Sequence, residues 1–265
     1  MIIDKELNNI GELIDFSSRP NQNKDIPPRR HYYTFRGQKN YNYTLESSLK
    51  RLVKERNIEL FEKRLLENFK KYAQILEPRV CGSIWETMVL AQHHGVPTRL
   101  LDFSLSPLVA LHFALNGDTY EETPVVWAVG HSETHKVLPS KYLQKKDESF
   151  SVSFTVEMLN ELGLSINDYS RDMGSHSMLF LEPPSIDDRI VNQFSHFALL
   201  PTDLDPMDDF LKCSKEITAY RFIIPPERAN LFRIQLDTMN ITDRILFPGL
   251  DGIASYLRKR YYTRY

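Results

Sequence analysis

Gln92-His93-His94-Gly95-Val96-Pro97-Thr98-Arg99-Leu100-Leu101-Asp102-Phe103-Ser104 sets polar, ionisable and backbone-shaping residues directly against an apolar helical pattern. Residues 83–93 run at helical spacing, and Gly95 with Pro97 stops that helix, the glycine by tolerating left-handed backbone and the proline by fixing φ. Thr98 to Ser104 has the length of a strand. Ser106-Pro107 then offers a cap with proline at the first helical position, leading into a helix over residues 108–115. Alternation in the strand places Thr98, Leu100 and Asp102 on one side and Arg99, Leu101 and Phe103 on the other. That argues against a direct Arg99–Asp102 pair unless the strand bends.

Upstream, Tyr33-Thr34-Phe35-Arg36-Gly37-Gln38 ends an aromatic, β-favouring run beginning at His31 with a lone arginine and a glycine. Elsewhere the pattern predicts an N-terminal helix over about 4–16, from Leu7, Ile10, Leu13 and Ile14, and helices within 45–75. A buried strand is expected over 124–129, and mixed loop and helix over 139–164. Three further strand-like runs lie at 178–181, 189–200 and 217–224. Residues 231–236 read as a strand or a helix start, and 243–256 as a turn followed by a helix. Strands and helices mix without the regular alternation of a doubly wound parallel sheet, so the fold class is α+β. No linker or repeat divides the 265 residues, which read as one domain: a core over about 30–257 and a basic aromatic tail over 258–265.

A net charge of -2 gives no global field to recruit nucleic acid or an anionic membrane, so such a partner would need a local patch. Two cysteines, Cys81 and Cys213, are too few for a disulfide framework and lack zinc spacing. The acidic start of the chain is unlike a secretory leader, and the longest apolar stretch, 107–115, is too short to span a membrane. The expectation is a soluble cytoplasmic protein with no membrane partner.

Four groups of residues bear on chemistry. Arg36 before Gly37 offers a planar, bidentate donor fork beside a backbone that a ligand can approach closely; a surface arginine at a turn has the same signature. His93 and His94, near Arg99 and Asp102, combine a tunable proton donor, a cation and an orienting carboxylate. His131 and His135 would share a helix face, but no third metal ligand accompanies them and the run also reads as a loop; no metal is expected. Arg258, Lys259 and Arg260 interleave with aromatics, suited either to a nucleic-acid backbone or to a helix C-terminus.

The set Phe35-Arg36-Gly37-Gln38, then Gln92 to Asp102 running into Pro107 to Ala114, resembles the bacterial FRG-domain family. Arg189 to Phe197 and Ile223 to Gly252 match that family's later part, so the resemblance extends over most of the chain. A weaker likeness is to the split β-sheet core of ADP-ribosyltransferases, with N-terminal and inserted helices. It implies an NAD-dependent enzyme modifying a protein or nucleic acid, as a toxin or phage-defence effector with an antitoxin-like partner. NAD hydrolysis and non-catalytic ligand or nucleic-acid binding are the alternatives. By motif, Arg36, Gly37, Gln38, Thr98, Arg99 and Ser104 would hold NAD. Gln193, on the strand where those enzymes carry a glutamate, would join His93 and Asp102 in catalysis. A glutamine lacks the charge that a developing oxocarbenium ion requires.

Overall fold

Only one backbone pair, Phe35 with Ser104, joins the strand of the first motif to the strand of the second. The computed structural model describes residues 1–18, 32–53, 57–77, 82–117, 122–149 and 153–262. Its strands are β1 (Ile2–Glu6), β2 (Tyr33–Gln38), β3 (Leu100–Ser104), β4 (Val125–Gly130), β5 (Phe154–Thr155), β6 (Leu179–Glu182), β7 (Ser195–Leu199) and β8 (Ala219–Ile223). They form one mixed sheet in the order β1-β8-β4-β2-β3-β7-β6-β5. β1 with β8 and β5 with β6 are parallel; the other pairs are antiparallel. The α+β class holds.

The helices are α1 (Ile10–Ser18), α2 (Ser48–Leu52), α3 (Ile58–Ala73), α4 (Ile84–His93), α5 (Pro107–Ala114), α6 (His131–Lys136) and α7 (Ser140–Ser149). They continue as α8 (Val156–Glu161), α9 (Ile166–Met173), α10 (Asp188–Asn192), α11 (Met207–Cys213), α12 (Pro226–Thr238), α13 (Asp243–Leu246) and α14 (Leu250–Tyr262). α1, α5 and α12 pack on β2, β4 and β8 around Phe35, Leu111, Val126, Phe222 and Phe232. α4, α8 and α9 pack on β3, β6 and β7 around Trp85, Leu100, Tyr169 and Leu199. A third cluster, with Leu101, Phe103, Trp127, Phe180 and Ala198, lies on the other side of the strands. Leu100 and Leu101 thus enter different clusters, as strand alternation requires.

Local signals fixed the central elements. Ser83 and Glu86 close a reciprocal capping box on α4, and Gly95 takes φ 80° just past its end. The Ser106 hydroxyl accepts from the Val109 amide with Pro107 in the first turn of α5.

Three expectations are corrected. The N-terminal helix of 4–16 is instead β1 followed by α1. Ile2 to Glu6 are drawn into the sheet edge by β8, and the helix starts only where the Asn9 side chain accepts from the Glu12 amide. The run 189–200 is split: the Asp187 carboxylate caps α10, Phe194 adopts φ 48°, and only then does β7 begin. The supposed tail from 258 continues α14 to Tyr262. The ambiguous 231–236 lies in helix α12. Among the described residues no helix is long and apolar enough to cross a membrane. Cys213 is an exposed thiol, and Cys81 lies outside the described residues, as does His31.

Candidate functional site

Past the Phe35–Ser104 pair the ladder between β2 and β3 stops. Arg36, Gly37 and Gln38 pair only with β4, and Leu100 to Phe103 only with β7. A cleft of about 840 Å³ opens there, lined by residues of β2, β3, α5 and α10 and of the loop before α2. That volume is within the roughly 300–1,000 Å³ typical of small-molecule and cofactor sites.

Arg36 reaches across the break, and its Nη1 donates to the Asp102 main-chain carbonyl at 2.5 Å. Its Nε is buried and has no hydrogen-bond partner among the described residues. Burial lowers the guanidinium pKa from its ordinary value, with Asp102 pulling the other way and Arg51 adding like-charge repulsion. An arginine remains a cation under these conditions, and a desolvated cation with an idle donor is a receptor for an anion.

Gln92, on the last turn of α4, connects the motif. Its Oε1 accepts from the Thr98 hydroxyl at 2.6 Å, and its Nε2 donates to the Asp102 carboxylate at 2.9 Å. Asp102 is exposed on the cleft wall and is the sole carboxylate among the described residues that line it. Thr98, through its hydroxyl, also takes the Leu100 amide at 3.1 Å. It is fully buried and does not line the cleft, so its assignment to a ligand is corrected: it braces Gln92.

Gly37 lines the cleft, but its packing reveals why it must be glycine. A Cβ there would fall onto the Ala110 carbonyl oxygen and the Ala114 amide nitrogen, so α5 lies with its backbone against β2. The glycine serves helix–strand contact instead of ligand approach. Gln38 holds the cleft edge, with Nε2 donating to the Thr44 carbonyl at 3.0 Å and Oε1 accepting from Trp127 Nε1 at 2.7 Å. The Ser104 hydroxyl donates to the Gln193 carbonyl at 2.7 Å. Gln193 follows α10, lines the cleft, and commits its Nε2 to the Leu246 carbonyl at 2.9 Å. Arg36, Gly37, Gln38, Asp102, Ser104 and Gln193 are therefore brought together.

The remaining assignments are not. Arg99 is 2% exposed and spends its guanidinium on Glu62, which is 0% exposed, and on the Ser170 hydroxyl at 2.6 Å. A cation buried and paired this way, away from the cleft lining, is out of reach of a cofactor phosphate, so its binding role is corrected to a structural one. His93 pairs with the Asp187 carboxylate, the cap of α10, and does not line the cleft. Its expected catalytic place is likewise corrected. Lys259 is held inward by Asp243 at 2.5 Å and by Asn116, which removes it from a free cationic track; Arg258 and Arg260 are exposed, Arg260 donating to the Tyr256 hydroxyl one turn back on α14. His131 and His135 do share a helix, but they are buried among Phe180 and His196. Among the described residues no group of three or more His, Cys, Asp or Glu could hold a metal.

Residue-by-residue reading missed Lys39, Arg51 and Arg189, which also line the cleft. Arg189 lies with its guanidinium 5.2 Å from the Phe247 ring centre, and Arg51 donates to the Glu46 carbonyl. Among the described residues the cleft thus has four cations against one carboxylate, in a chain whose net charge is -2. Lys39 was adjacent to the motif and open to notice; Arg189 comes to it only through the tertiary fold.

No curated protein and no solved structure gives a significant match to the chain. The later segments, 189–197 and 223–252, fall outside the family match, which is narrower than the resemblance implied. The FRG domain is matched over residues 31–123, a stretch that includes β2, β3 and α2 to α5, of which β2, β3, α2, α4 and α5 line the cleft.

Proposed function

We propose that the cleft binds NAD and that the chain acts as an ADP-ribosyltransferase-like enzyme, its sheet divided at β2 and β3 in the manner of that fold. The observation that carries this reading is Arg36: a desolvated guanidinium at the break in the ladder, with an idle Nε, facing a cation-rich cleft. A pyrophosphate is the natural complement to such a group, since guanidinium and phosphate pair bidentately. Phe103 and Phe113 supply apolar lining for the rings of the dinucleotide.

NAD supplies a ribosyl carbon whose leaving group, nicotinamide, departs with the electron pair of the broken glycosidic bond. Asp102 is the group placed to offset positive charge at that carbon and to take the proton of the incoming nucleophile. Its carboxylate is oriented by Gln92, which is in turn set by Thr98. Gln193 shapes the opposite wall through its carbonyl and amide contacts and contributes no charge. With water as the nucleophile the outcome is NAD hydrolysis; with a group on a macromolecule it is ADP-ribosyl transfer.

The test incubates the full chain with NAD labelled in the adenylate phosphate, with and without cell lysate, following free nicotinamide and macromolecular label. Turnover in either channel that disappears in Arg36→Ala, with the thermal transition retained, supports the proposal. A chain that neither binds nor consumes NAD overturns it. Binding without turnover favours the second reading, a ligand-binding module, for which the presence of a single lining carboxylate speaks.

A further inference from the structure

We infer that the mouth of the cleft binds single-stranded nucleic acid, which is the acceptor of the transfer; the acceptor role rests on the NAD reading above, whereas the binding surface does not. Arg36 is the cation set deepest, and one pyrophosphate occupies it. Lys39, Arg51 and Arg189 remain at the rim, all three exposed, and Asp102 is the sole lining carboxylate against them. On a nearly neutral chain this is a concentrated positive patch, suited to several phosphates in succession. The Arg189 guanidinium also lies 5.2 Å from the Phe247 ring centre, a cation–π contact that steadies it at the rim.

One exposed aromatic side chain lines the cleft with these cations, and a second belongs to a residue whose chain neighbours line it. Tyr43 lines the cleft and is 50% exposed. Phe194 is 54% exposed and lies between Gln193 and Ser195, which both line the cleft. Its backbone is left-handed, φ 48°, a conformation that few non-glycine residues adopt. The conformation is pinned, because the Phe194 amide donates to the Val191 carbonyl at 3.0 Å and its own carbonyl accepts from the Leu105 amide at 2.9 Å. A strained residue presenting a large apolar ring to water beside a cleft calls for a ligand that covers it.

Exposed rings together with cations are what an unpaired strand uses: bases stack on the rings while phosphates meet the cations. A duplex keeps its bases stacked internally and cannot use the rings. A basic peptide acceptor would be repelled by the rim. In the transfer, a hydroxyl or amino group of the strand forms the bond to the ribosyl carbon, nicotinamide leaves with the glycosidic electron pair, and the proton of the nucleophile passes to Asp102 and then to water.

The experiment measures fluorescence anisotropy of the full chain with a labelled 12-nucleotide single strand, RNA or DNA, and with the corresponding duplex, over a salt series. The single strand is expected to bind more tightly than the duplex, with log affinity falling against log salt with a slope of about -2, for three phosphate contacts. Tyr43→Ala with Phe194→Ala should weaken it by about tenfold or more, whereas Arg258→Gln with Arg260→Gln on α14 should leave it unchanged. Label from NAD should then appear on the strand. Absent binding, binding indifferent to both rings, dependence on the α14 arginines instead, or label confined to protein overturns the inference. Ring-dependent strand binding without any NAD consumption sinks the NAD reading and leaves the nucleic-acid surface standing.

Discussion

Arg36 and Asp102 meet through a guanidinium and a main-chain carbonyl, leaving the Asp102 carboxylate to Gln92 and the buried Arg36 Nε without a partner among the described residues. The two side chains are therefore held apart, and on the proposed function Arg36 meets the anion while Asp102 takes the proton. Arg36→Lys keeps the charge but loses the planar fork, so NAD affinity measured by calorimetry should fall by about 100-fold, nearly as far as in Arg36→Ala.

Asp102→Asn preserves the oxygen that Gln92 donates to while removing the charge. In nicotinamide-release assays kcat should drop by about 10² to 10³, with KM within a few-fold of the parent. An equal loss in KM alone would assign Asp102 to binding.

Arg99 and Glu62 form a buried pair that breaks only at high cost. Arg99→Met or Glu62→Gln should lower unfolding free energy by about 3–5 kcal/mol, since each leaves an uncompensated charge or donor set in the core. In urea titrations the midpoint should shift strongly, whereas the NAD affinity of the folded fraction should remain that of the parent. A pure affinity loss would restore Arg99 to the ligand.

Gly37→Ala tests the contact between α5 and β2. The added methyl meets main-chain atoms at Ala110 and Ala114, which cannot swing aside as a side chain would. A destabilisation of about 3 kcal/mol or more is expected from such overpacking, read as a lower urea midpoint at unchanged slope.

Asp243 receives His112 at 2.9 Å, Ser255 at 2.9 Å and Lys259 at 2.5 Å while only 2% exposed. Burial alone would raise its pKa, but the bonds from His112 and Lys259 outweigh it and hold the carboxyl well below its ordinary 3.8. A depressed carboxyl stabilises the fold fully above the unfolded value and loses that contribution as pH falls toward the folded one. Thermal melts of the parent and of Asp243→Asn should therefore differ most above about pH 5, and the difference should shrink steadily as pH falls below about 4 toward the depressed folded-state value.

The helix–turn–strand–turn–helix order of residues 83–115 was legible because its signals are local: Ser83 and Glu86 at one cap, Gly95 at a helix end, Ser106 and Pro107 at the next cap. What stayed hidden depends on partners far away in the chain. Arg99 next to Asp102 invited an active-site reading, yet its actual partner is Glu62 on α3. Ile2 to Glu6 become a strand because β8 lies beside them, more than 200 residues later. The run 189–200 carries apolar residues suited to a strand throughout, and only the left-handed Phe194 marks the change from helix to strand. Gly37 announced a tight place correctly; that the occupant is α5 and not a ligand is a property of the packing.

The single backbone pair between Phe35 and Ser104 also governs how the chain can be cut. Within 31–123, β2 and β3 have almost no ladder to each other; β2 completes its bonding on β4 and β3 on β7, both beyond residue 123. Excised at those limits, the segment would expose two bare strand edges and the underside of α5, a template for aggregation. The stretch matched by the FRG domain thus carries one wall of the cleft within a larger sheet, and it can be fused or redesigned only together with the strands that close it.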